Sequence, residues 1–68
     1  MTNSDILMYQ ICEKPIHLTQ QCMTENGIES DEKFTIKDIV GNFEQLIIVN
    51  QYDQNITINP NQIINESN

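Results

Sequence analysis

From Asp5 the chain reads DILMYQICE, and its apolar residues Leu7, Met8, Ile11 and Cys12 fall at i, i+1, i+4 and i+5. That spacing gathers them on one side of a helix. Ser4 is a suitable N-cap, and the charge of Asp5 suits the positive end of a helix dipole. Pro15 lacks an N–H and restricts the residue before it, so this helix is predicted over 5–13. Proline also fits the first position of a new helix, and a second one is predicted over 15–25. Its faces would be Ile16, Thr19, Gln20 and Met23 on one side, with Leu18 and Cys22 beside them. Asn26 and Gly27 then supply a stop, with Gly27 in the left-handed conformation and Ile28 closing the motif.

The stretch KFTIKDIVGNFEQLII, residues 33–48, carries a more detailed signal. With Thr35 as N-cap, Asp38 stands at the third helical position, where its carboxylate reaches back as in a capping box. Phe34 and Ile39 are spaced as a hydrophobic staple. Ile36, Ile39, Val40, Phe43, Leu46 and Ile47 follow at offsets 0, 3, 4, 7, 10 and 11, one stripe of a helix predicted over 36–47. Gly41 dissents, since glycine inside a helix costs about 1 kcal/mol relative to alanine. A short strand over 34–36 is the reading that competes at the start of this stretch.

After Val49 the pattern changes. NQYDQN is a polar turn and ITI has the alternation of a strand, with Ile56 and Ile58 pointing one way. Pro60 confines that strand to an edge or ends it. IIVN and NITIN are expected to pair as a hairpin, and Ile63 and Ile64 to fold back on the core. The fold class predicted is therefore α+β and mainly helical: three helices, then a short C-terminal β-hairpin. Sixty-eight residues make a single domain, 1–68, with residues 1–3 and 65–68 expected to be loose.

Three helices and a hairpin is the order of a winged helix. The segment EKFTIKDI, residues 32–39, resembles one in small, mostly uncharacterised winged-helix-like proteins of Gram-positive bacteria and their phages. The resemblance covers eight residues and implies a winged-helix-like fold. The tryptophan and basic residues that usually follow that segment are absent here, and no functional residue is carried over.

Charge narrows the choice of partner. Ten acids face three lysines with no arginine, a net charge of −7. Such a chain is repelled by nucleic acid, and it lacks the side chain best suited to phosphate and base edges. Lys14, Lys33 and Lys37 all have acids beside them and form no basic patch. Twelve Ile, nine Asn, seven Gln and no Ala suit an AT-rich coding sequence, as in low-GC bacteria and their phages. No basic region followed by an apolar run opens the chain, and the longest apolar run, 46–49, is far too short for a bilayer. A soluble cytoplasmic protein is expected, with neither nucleic acid nor membrane as a direct partner.

Catalytic signatures are missing. The sequence has no Ser/His/Asp set, phosphate loop or calcium-loop spacing. Cys12 and Cys22 flank the single histidine, His17, without a zinc pattern, and read as two small buried hydrophobes. No enzyme, metal or cofactor is expected. The remaining candidate is an acidic patch of Glu25, Glu29, Asp31, Glu32 and Asp38. It reads either as a solvated connector or as a surface that steers association with a basic partner. The function expected is a small acidic protein-binding modulator. Its size and charge resemble those of small phage or mobile-element inhibitors that occupy a basic surface of a host nuclease or defence enzyme. The alternative is a winged-helix-like transcription accessory or structural subunit acting as a homodimer.

Overall fold

A computed structural model of the chain describes residues 1–64. In it two helices precede a three-stranded antiparallel meander: α1 (Asn3–Ile11), α2 (Gln20–Asn26), β1 (Phe34–Val40), β2 (Gln45–Asn50) and β3 (Asn55–Ile58), in sheet order β1-β2-β3. A single 3-10 turn, Pro60–Gln62, follows. The α+β class stands, but the domain is not mainly helical and has no third helix among the described residues. Residues 65–68, expected to be loose, lie outside the described part, while Thr2 and Asn3 already belong to the cap and first turn of α1.

The helix predicted over 36–47 is a β-hairpin, with β1 and β2 joined by a turn at 41–44. The β-branched residues Thr35, Ile36, Ile39, Val40, Ile47, Ile48 and Val49 lose χ1 freedom in a helix and pack well on a pleated surface. Gly41 adopts φ +64° at the turn, where an added Cβ would lie 2.6 Å from the Glu44 carboxylate. Phe43, at φ 62°, also takes the left-handed conformation and packs its ring against the core.

The helical spacing has a specific origin. Ile36 pairs with Ile48 and Ile39 with Leu46, while Lys37 has no partner and forms a β-bulge. Residues directly opposite each other share a face, and Ile48 and Leu46 are two apart, so Ile36 and Ile39 lie on the same face despite their separation of three. The core face thus carries Phe34, Ile36, Ile39, Leu46, Ile48, Ile56 and Ile58, with Leu46 and Ile48 fully buried. Ile6 and Tyr9 of α1, Cys22 of α2, and Ile16, Leu18 and Ile63 complete that core.

Helix α1 is capped by Thr2, not Ser4. The Thr2 hydroxyl accepts from Asp5 N–H and the Asp5 carboxylate accepts from Thr2 N–H, each at 3.1 Å. The helix ends where Lys14 N–H bonds the Tyr9 carbonyl, with Glu13 at φ 52°. The second helix is shorter than predicted. Residues 16–18 are extended, and Ile16 bridges Phe34 while Leu18 bridges Ile63. Thr19 caps α2 by accepting from Cys22 N–H at 3.2 Å. Gly27, at φ 63°, and the Ile28 N–H bond to Met23 end it as the sequence predicts. The ITI strand, its hairpin with IIVN and the stop at Pro60 are also found where expected. Ile63 folds back onto the core, but Ile64 stays exposed.

Candidate functional site

The α2–β1 loop carries three of the five predicted patch residues. Glu29 and Asp31 are exposed and Glu32 is half-buried. The loop is not a slack connector. Glu32 Oε2 accepts from Glu29 N–H at 2.9 Å, and Oε1 accepts from Asn50 Nδ2 at 3.2 Å. Lys33 N–H donates to Gln51 Oε1 at 2.7 Å, and Gln51 Nε2 donates to the Asp31 carbonyl at 3.2 Å. The turn between β2 and β3 therefore holds the acidic loop in one shape.

Asn50 is the centre of that arrangement and the one buried polar residue among those described. Its Oδ1 accepts from Tyr52 N–H and Gln54 N–H, each at 2.9 Å, and its Nδ2 also donates to Gln54 Oε1 at 2.9 Å. A buried amide costs free energy unless satisfied, and this one is. Sequence pattern gave no hint of it, since Asn50 reads as part of a polar turn.

The structure divides the predicted patch. Glu25 is exposed on α2, where its carboxylate accepts from Gln21 at 3.3 Å, and lies in the chain just before the loop. Glu32 is committed to holding the loop. Asp38 sits apart, past the bulge, roughly 13 Å along β1 from Phe34 at strand rise. It is paired with Ile47 on the face of the sheet away from the core, and its Oδ1 accepts from Ile39 N–H at 2.8 Å. Among the described residues no lysine forms an ion pair with any of these five acids; Lys14 lies over the Tyr9 ring at 5.1 Å instead. Glu25, Glu29 and Asp31 thus present carboxylates that no lysine neutralises.

The larger revision concerns α1. Its predicted core face is its outer face: Leu7 is 42% exposed, Met8 44% and Ile11 77%, and Cys12 is exposed as well. Ile6 and Tyr9 make the core contact in their place. Both sides of this helix are apolar, so spacing alone does not decide which is buried. Beyond Ile11 a shallow cleft separates Ile11 and Glu13 from Thr35, Lys37 and Val49 of the sheet. The uncovered sheet face continues from there with half-buried Ile47 and Val49 and exposed Val40.

The two cysteines are free thiols in different settings. Cys22 is fully buried as predicted, and burial pushes its thiol above the ordinary range, with Asn26 opposing weakly from 3.6 Å. Cys12 contradicts the expectation of burial because it falls on the outer face of α1. His17 is exposed at a cleft it shares with Pro15, Asp31 and Glu32. Among the described residues, three or more His, Cys, Asp or Glu side chains nowhere gather in a metal-holding group, and no helix is long and apolar enough to cross a membrane.

Comparison with protein-family models, with curated proteins and with solved structures finds no match for this chain.

Proposed function

We propose that this chain is a small protein-binding modulator that lays the outer face of α1 against an apolar spot within a basic surface of another protein. The observation that carries the reading is the exposed stripe Leu7, Met8 and Ile11. Exposed apolar area that runs together on a soluble domain marks an interaction surface more often than scattered single residues do. Methionine in such a stripe adapts to varied partners.

Charge supplies the partner's sign. A net −7 with no arginine favours a basic protein surface and works against a nucleic acid. Glu25, Glu29 and Asp31 act as steering charges, and the last two stand on a loop that keeps one shape. An enzyme whose basic surface holds nucleic acid is the kind of target that such a chain would occupy. The winged-helix alternative needs a third helix, and the described residues provide a hairpin in its place.

The test is capture from host lysate followed by kinetics on the captured protein. Leu7→Glu with Ile11→Glu should abolish binding while circular dichroism stays unchanged. Glu25→Lys with Glu29→Lys and Asp31→Lys should slow association and weaken its salt dependence. Unaltered binding by the α1 variant overturns the reading.

A further inference from the structure

The sheet has two outer edges, and they are finished differently. Along β1, Ile16 N–H donates to the Phe34 carbonyl at 2.9 Å and Gln10 Nε2 donates to the Lys37 carbonyl at 3.1 Å. The bulge at Lys37 and the charges of Lys37 and Asp38 add further obstacles to a new strand. Edge strand β3 has no bulge and no charged side chain. Residues 54–65 hold no charge at all, and Asp53 is the only charged residue from 45 to 65.

The direction of the free backbone groups follows from the register. Asn50 N–H donates to the Gln54 carbonyl at 3.1 Å, which makes that pair a hydrogen-bonded one. Bonded and non-bonded pairs alternate along an antiparallel ladder. Ile48–Ile56 and Leu46–Ile58 are then bonded pairs, and the backbone groups of Asn55 and Thr57 point away from β2. No described residue takes them up. Both residues are exposed, and Ile56 between them is half-buried on the core face.

We propose that β3 pairs antiparallel with β3 of a second copy of this chain, about a two-fold axis at Ile56. Asn55 then faces Thr57 of the second copy, and the symmetry-related pair forms with it, so the outward N–H and C=O groups satisfy one another. Ile56 meets Ile56 across the axis on the core face, which covers the half-buried residue. The occupant is a second copy because this edge is where two −7 chains meet without opposing carboxylates. In this register Asp53 stands opposite Asn59. A contact of this size belongs to weak, reversible association. It is independent of the α1 surface and of its partner.

Sedimentation equilibrium from micromolar to millimolar protein should show a reversible monomer–dimer system. Hydrogen exchange should show the Asn55 and Thr57 amides gaining protection as concentration rises. Asn55→Lys with Thr57→Lys sets like charges directly opposite each other and should weaken the dimer on the order of tenfold. Asn55→Lys with Thr57→Glu sets opposite charges there and should restore it. A chain that stays monomeric throughout overturns the proposal. So do equal dimerisation by the two variants, amide protection that does not depend on concentration, and a dimer dissolved by Leu7→Glu instead.

Discussion

Glu32 and Asn50, eighteen positions apart, meet where Asn50 Nδ2 donates to Glu32 Oε1 at 3.2 Å. This contact ties the acidic loop to the end of the central strand, and it makes Glu32 a different kind of residue from Glu29 and Asp31. Replacing Asn50 by leucine would strand the Tyr52 and Gln54 N–H groups that its Oδ1 now satisfies. The expected cost is about 2 kcal/mol in urea denaturation. Glu32→Lys should also destabilise, whereas Glu29→Lys and Asp31→Lys should leave stability within about 0.5 kcal/mol.

Two threonines separate the helical from the strand reading. Thr19 caps α2 through Cys22 N–H, so Thr19→Val should cost about 1 kcal/mol. Thr35 lies in β1 opposite Val49, where a β-branched apolar residue fits as well as threonine. Thr35→Val should therefore change stability by less than about 0.5 kcal/mol. Equal losses at the two positions would mean that a helix starts at Thr35.

Both helices end in a left-handed residue, but only one of those residues is glycine. Gly27 has φ 63° and Glu13 has φ 52°. A side chain with a Cβ is strained in this conformation by about 1 kcal/mol. Glu13→Gly should raise the denaturation midpoint by relieving that strain, and Gly27→Ala should lower it. Opposite signs for two changes at equivalent helix ends are the measurement to make.

Asp5 links α1 to pH. The Thr2 backbone N–H, and then the Thr2 hydroxyl, hold its carboxyl below the ordinary carboxylate range. A depressed value in the folded chain means stabilisation that is full above the unfolded value and lost as pH falls through the folded one. Asp5→Asn should thus be less stable than the natural chain at neutral pH, with the gap closing in acid. A gap that persists in strong acid would place the contribution elsewhere.

Much of the fold was legible where one residue type decides the backbone. Gly27 stops α2, Pro60 ends β3, and the polar run from Asn50 to Asn55 turns the second hairpin. The first hairpin was not legible because two faults in strand alternation mimic a helix. The bulge places Ile36 and Ile39 three apart on one face, and the turn at 41–44 brings Leu46 back onto it at offset ten. On α1 the difficulty was different. Ile6 with Tyr9, and Leu7 with Met8 and Ile11, are both plausible buried pairs or stripes, and only the position of β1 chooses between them. As for the candidate site, the excess of carboxylates was plain in the composition. The loss of Glu32 to architecture and the separation of Asp38 depend on contacts between distant parts of the chain, which spacing does not record.

Lys37 is a supernumerary residue, and this bears on which insertions and deletions the chain tolerates. Without it β1 would read Phe34, Thr35, Ile36, Asp38, Ile39, Val40, a strict alternation of inward and outward side chains with every existing partner on β2 retained. Deleting one residue from the middle of a strand ordinarily turns every later side chain to the wrong face. Here the deletion should leave a folded protein, with stability measured by thermal melting close to that of the full chain. Deletion of Thr35, which would turn Phe34 out of the core, should unfold it. The same logic applies to natural variation, so length changes in related sequences should collect at this position, inside a strand, as readily as in the turns.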